Sequence, residues 1–176
     1  MGAIQGLRVT KYDPRLRDAR GAYLRDDWSS VGDVGRSHGG RVLTMTEYLR
    51  VEAAYVDTAM DLYVDAGSPP LIARDIAAVD VRPRKVPGKV LSLRRKGERR
   101  VSRAEMPRVV RACLRELSWC RLEAEDASYL LHFGYDYYMY VSGVAPSEGT
   151  LEAAAARGIF VEACASPYMR AEARLR

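Results

Sequence analysis

Apolar residues recur at helical spacing in two stretches of the chain and alternate with polar residues in several others, and these two periods divide it into helices and strands. Tyr48, Tyr55, Val56, Ala59, Met60 and Tyr63 fall along one helical face. Thr44 and Glu47 stand three apart at its start, the capping-box spacing in which the hydroxyl accepts from the Glu47 amide and the carboxylate reaches back. Gly67, Pro69 and Pro70 end it. A second stripe runs through Val109, Val110, Cys113, Leu114 and Leu117. Ser102 and Glu105 give another capping-box pair ahead of it, but Pro107 sits too deep for a helix begun there. Either a tight turn precedes this helix, or Pro107 opens it at its first position. Thr150 and Gly158 predict a short third helix over residues 151–157.

Period two predicts the strands. Residues 119–125 alternate Cys120, Leu122 and Ala124 against Arg121, Glu123 and Glu125, a half-buried strand. Further strands are expected over the second half of 71–81 and over 159–164. Residues 89–95 alternate apolar and polar and lead through Lys96, Gly97 and Glu98 into residues 99–101, a basic β-hairpin. The run LHFGYDYYMYVSG, residues 131–143, reads as a hairpin with Gly134 supplying the turn's backbone angles. Tyr137, Met139 and Val141 then face one side, and Tyr138, Tyr140 and Ser142 the other. Residues 7–43 show no period and read as short extended pieces and turns, with Gly32, Gly35, Gly39 and Gly40 in a flexible loop before the long helix. Helices and strands are segregated. The expected fold is therefore α+β, a mainly antiparallel sheet of about four to six strands with one long and two shorter helices packed on it, in a single domain spanning 1–176.

Composition narrows the class. At 176 residues, 48% hydrophobic and 29% charged, the chain can bury a core without a disulfide scaffold. Its three cysteines, Cys113, Cys120 and Cys164, lack metal-ligand spacing, which argues for reduced thiols in a reducing compartment. No apolar run approaches the roughly 18 residues that span a bilayer, and the N-terminus lacks a basic region followed by an apolar one. A cytoplasmic protein without a membrane partner is expected. The net charge of +5 is uneven: residues 82–103 hold ten Lys or Arg and one Glu, so the rest of the chain is acidic. Arg outnumbers Lys 24 to 4, a bias that codon supply can produce as well as function.

Few residues point to chemistry. With only His38 and His132 present, multi-histidine metal sites are excluded, and no metal or cofactor is expected. The glycines of 31–40 match neither a P-loop nor a dinucleotide fingerprint. Four tyrosines in residues 131–143 offer large, rigid, amphipathic side chains of the kind that recognise other proteins. The plain alternative is that one set packs under a helix and the other makes cross-strand pairs.

The runs KYDPRLRDARGAYLRDDWSSVGDVG, LTMTEYLRVEAAYV, LHFGYDYYMYV and GIFVEACASPY resemble a family of small uncharacterised bacterial proteins. In size and organisation these are similar to immunity proteins, which neutralise toxins delivered between bacteria. The resemblance covers roughly the first third and last quarter of the chain and implies binding without catalysis.

Three functions follow as expectations. The first is a non-catalytic protein-binding module, immunity-like, that blocks a toxin by steric occlusion or binds a second copy of itself. Its contacts would be Tyr135, Asp136, Tyr138 and Tyr140, with Trp28, Asp26 and Asp27 as a further group. The second is nucleic-acid binding through Arg94, Arg95, Lys96, Arg99 and Arg100, which would be salt-sensitive and indifferent to sequence. The third is an enzyme with a site near His132.

Overall fold

The computed structural model describes residues 6–79, 86–91, 93 and 97–168. Its elements run β1 (Leu7–Thr10), β2 (Ser37–His38), β3 (Arg41–Val42), α1 (Met45–Asp65), β4 (Leu71–Ala78) and β5 (Arg99–Val101). They continue as α2 (Met106–Leu114), β6 (Ser118–Ala124), β7 (Leu130–Phe133), β8 (Met139–Ser142), α3 (Glu148–Ala156) and β9 (Phe160–Ala163). Seven strands form one antiparallel sheet in the order β5-β4-β6-β7-β8-β1-β9, and β2 with β3 makes a separate ribbon. The chain is thus α+β with a mainly antiparallel sheet, carrying one strand more than the upper expectation.

The extra strands are the short ones. β1 has four residues and lies between β8 and β9, pairing Val9 with Met139 on one side and Val161 on the other. Its flanking by strands on both sides explains why LRVT shows no exposed polar alternation, since Val9 and Thr10 are fully buried. β4 begins at Leu71, earlier than its ambiguous pattern indicates. A register shift after Arg74, with Asp75 in the left-handed region (φ 52°), breaks its alternation.

Register assigns the two faces. Leu7, Val9, Leu71, Ala73, Leu122, Ala124, Leu131, Phe133, Met139 and Val141 face the helices. α1 crosses this face and buries Tyr48, Tyr55, Ala59 and Leu62 completely. On the opposite face Arg74, Arg121, Glu123, His132, Tyr140 and Arg8 alternate with them.

Local signals at the helix ends mostly match. Thr44 accepts from the Glu47 amide at 3.1 Å, but the Glu47 carboxylate turns to Arg50 instead of reaching back. The chain from Ser102 makes a tight turn closed by the Glu105 carboxylate on the Ser102 amide and hydroxyl, and Pro107 then sits in the first turn of α2. Ser147, not Thr150, caps α3: its hydroxyl accepts from the Thr150 amide at 3.2 Å, while Thr150 is buried. Of the expected basic hairpin, residues 92 and 94–96 lie outside the described residues. Lys89, Val90 and Leu91 are not in a strand, and residues 99–101 form β5, paired with β4.

The helical layer contains one buried ion pair. Arg115, just past the end of α2, places Nε 2.6 Å and one Nη 2.7 Å from the two Glu52 oxygens, in the fork geometry that favours arginine. Tyr48 donates to the same carboxylate at 3.2 Å, and Arg115 also donates to the carbonyls of Val86 and Pro87. Both side chains are almost wholly buried. Replacing Glu52 by Gln leaves the guanidinium uncompensated and is expected to cost about 3–5 kcal/mol in urea unfolding. Glu52→Leu with Arg115→Met is expected to cost much less, and an equal loss in both variants would show that packing, not charge, dominates there.

Candidate functional site

Three helices end here in the same way, and the difference between them marks a site. In each, the amide two residues past the cap bonds the third-last helical carbonyl, and the amide before it bonds the second-last, a Schellman closure. This geometry needs a left-handed residue. After α1 and α3 it is glycine, Gly67 (φ 82°) and Gly158 (φ 78°); after α2 it is Glu116 (φ 56°). A side chain at that position costs on the order of 1 kcal/mol relative to glycine.

A second strained reversal lies nearby. Between β7 and β8, Asp136 (φ 57°) and Tyr137 (φ 63°) are both left-handed, closing a type I′ turn in which the Tyr138 amide donates to the Tyr135 carbonyl at 3.3 Å. Tyrosine is unusual there, and packing holds it. The Tyr137 ring turns into the core against Trp28 and Tyr55, each with centroids 5.0 Å away, and the Tyr55 hydroxyl donates to its carbonyl at 2.7 Å. Gly134 does not supply the positive angles expected of it. It is required because a β-carbon would come within 2.9 Å of the rings of Tyr140 and Tyr168.

Between the two reversals is a small cleft, open to solvent. Ser29, Glu116, Trp119, Asp136 and Tyr138 line its walls, above buried Cys113 and Phe133. Most described carboxylates are paired with cations or capped by amides, as with Asp33, which accepts from the amides of Ser29 and Ser30. The Glu116 and Asp136 carboxylates have no ion-pair or hydrogen-bond partner among the described residues. Partial desolvation against the cleft wall, together with the negative charge of Asp33, holds the exposed Glu116 carboxyl above its ordinary value.

The structure sorts the expected contact groups by exposure. Tyr135 is 72% exposed. Asp136 is exposed and Tyr138 half-buried. Tyr140 is buried, stacked on His132 with centroids 5.3 Å apart beneath Tyr168, so it does not present a surface. Trp28 is also buried, as a core contact of Tyr137. Asp26 accepts from the Gly39 amide and lies beside His38, which pins the β2–β3 ribbon. Asp27 sits 2.9 Å from Lys11 Nζ.

Of the alternative basic group, Arg94, Arg95 and Lys96 lie outside the described residues. Arg99 is paired with Glu105 at 2.7 Å and Arg100 with Glu125 at 2.8 Å. His132 packs among the rings of Tyr140 and Tyr168. The described residues contain no group of three or more His, Cys, Asp or Glu placed to hold a metal ion, and no helix long and apolar enough to cross a membrane.

No protein-family model, curated protein or solved structure matches the chain.

Sequence reading missed Glu116, Trp119 and Ser29. The signal was an omission: α2 stops at Arg115-Glu116-Leu117-Ser118 without the glycine that the other helices use. Glu116→Gly is accordingly expected to raise stability by roughly 1 kcal/mol, read by urea unfolding. A loss of stability would mean that the Glu116 side chain supports the fold.

Beside this cleft, Lys11 gives a pH signature. Its Nζ lies 4.0 Å above the Tyr12 ring and 4.2 Å above Trp28, near Asp27 but off the hydrogen-bonding direction. Burial lowers its pKa to about 8, which Asp27 offsets only in part. Between that value and the ordinary 10.5 the unfolded chain holds this proton and the folded chain does not, so this group's contribution to stability rises with pH through the window. An NMR titration of the Lys11 side chain should show a midpoint near 8, and Lys11→Met should abolish this part of the rise. A midpoint at the ordinary lysine value would refute the burial argument.

Proposed function

We propose that the chain is a non-catalytic protein-binding module whose partner places a lysine or arginine side chain in the cleft between Glu116 and Asp136. One observation carries this reading: two carboxylates without cationic partners among the described residues line one cleft, each on a left-handed residue, in a chain whose net charge is +5. The walls suit a cation on a hydrocarbon stem, since Trp119 offers aromatic surface and the carboxylates offer charge. Tyr135, exposed at the tip of a turn already fixed by Tyr137, adds contact area at little entropic cost.

The resemblance to immunity proteins makes the partner a bacterial toxin, blocked by steric occlusion. Neither the cleft nor the turn needs to perform chemistry for this, and the Cys113 thiol on the floor is held up by its bond to Cys120 and by burial. Charge complementarity at such a rim speeds encounter and suppresses partners of the wrong sign.

The test is affinity capture from host lysate with the tagged chain, followed by quantification of any one-to-one protein partner. Asp136→Asn and Glu116→Gln are each expected to weaken that complex about tenfold, as is Tyr135→Ala, with circular dichroism unchanged. A partner held equally by all three variants would place the interface elsewhere. Nucleic acid as the captured species, lost on nuclease treatment, would replace this reading with one centred on the basic segment.

A further inference from the structure

Cys113 lies in the last turns of α2 and Cys120 is the third residue of β6, and the two side chains meet between helix and sheet. Their sulfurs are 3.8 Å apart and both thiols are buried. Cys113 also borders the open cleft, although its own surface is almost wholly covered. Cys164, the remaining cysteine, sits part-exposed beyond β9.

We propose that Cys113 and Cys120 are a redox-modification site that forms a reversible intramolecular disulfide, with hydrogen peroxide as the oxidant. A disulfide bond is about 2.05 Å long, so the sulfurs must approach by only about 1.8 Å. Their neighbours on this interface, Val109, Val110 and Leu122, fill space without sulfur, so packing alone does not call for two thiols in contact. The bond would close the reversal that carries Arg115 and Glu116, and its formation does not depend on whether the cleft receives a partner.

The chemistry runs in two steps. The Cys113 thiolate attacks one peroxide oxygen, the O–O bond breaks, and hydroxide leaves, giving a sulfenic acid. The Cys120 sulfur then attacks the Cys113 sulfur, forming the S–S bond, and water leaves with the Cys120 proton. Two thiols are oxidised, and one peroxide is reduced to two waters. The hydrogen bond between the sulfurs and their burial both raise the Cys113 thiol, so the reacting thiolate is scarce at neutral pH.

The experiment treats the wild-type chain and a Cys164→Ala variant with hydrogen peroxide from neutral to mildly alkaline pH, then measures intact mass and maps cysteine peptides. The expected product has lost two hydrogen atoms, contains a Cys113–Cys120 linked peptide and reverts with a dithiol reductant. Its rate should rise roughly tenfold per pH unit below the thiol pKa. A Cys120→Ala variant should stop with one added oxygen on Cys113, trapped by dimedone. Unchanged mass at these two positions in folded protein, oxygen adducts without linkage, or linkage through Cys164 in the wild-type chain would each overturn the proposal. The wild-type peptide map makes the test independent of how the variants fold.

Discussion

The Glu52–Arg115 pair sets the geometry on which the rest of this molecule depends. Two charges removed from water must be matched closely, and here both oxygens of one and two nitrogens of the other are used, at 2.6 and 2.7 Å. The match fixes α1 against the end of α2 and so decides where the chain reverses into β6. Glu116 is the next residue, so the buried pair also determines where a carboxylate with no partner among the described residues emerges. A pair of this kind contributes little net stability compared with apolar packing, but it admits few alternative positions.

Three of the six described non-glycine residues with positive φ lie in the same corner. Glu116, Asp136 and Tyr137 all occupy backbone space that glycine would occupy more cheaply. The core offsets this at Tyr137, whose ring is enclosed by Trp28, Tyr48 and Tyr55. No such enclosure exists for the side chains of Glu116 and Asp136, which stay at the surface. One tyrosine therefore anchors the turn while its neighbours, Tyr135 and Asp136, remain displayed.

Much of the fold was legible in the sequence because the periodic elements are long enough to show their period. α1, α2, β6 and the β7–β8 hairpin follow directly from spacing. β1, at four residues, is too short for alternation to register, and the shift after Arg74 interrupts it in β4. The strand expected over residues 99–101 is present as β5, but its partner is β4. Ser147 and Thr150 are equally good caps by residue type, and only the burial of Thr150 separates them. The site was partly legible: an aromatic turn bearing Asp136 was visible, but Tyr140 and Trp28 look the same in sequence as Tyr135. What buries them is long-range, Tyr168 over one and Tyr137 against the other.

The place of β1 has a consequence for how the chain reaches its fold. Residues 7–10 find their partners only at residues 139–141 and 160–163, so an early segment is held between two late ones. Such pairing closes very long loops before any contact rewards it, which slows folding. During synthesis, at roughly 5–20 residues per second, β1 waits with both hydrogen-bonding edges open until β8 and β9 have been made. The interval before β8 and β9 arrive is when this chain is most exposed to mispairing or to capture by a chaperone.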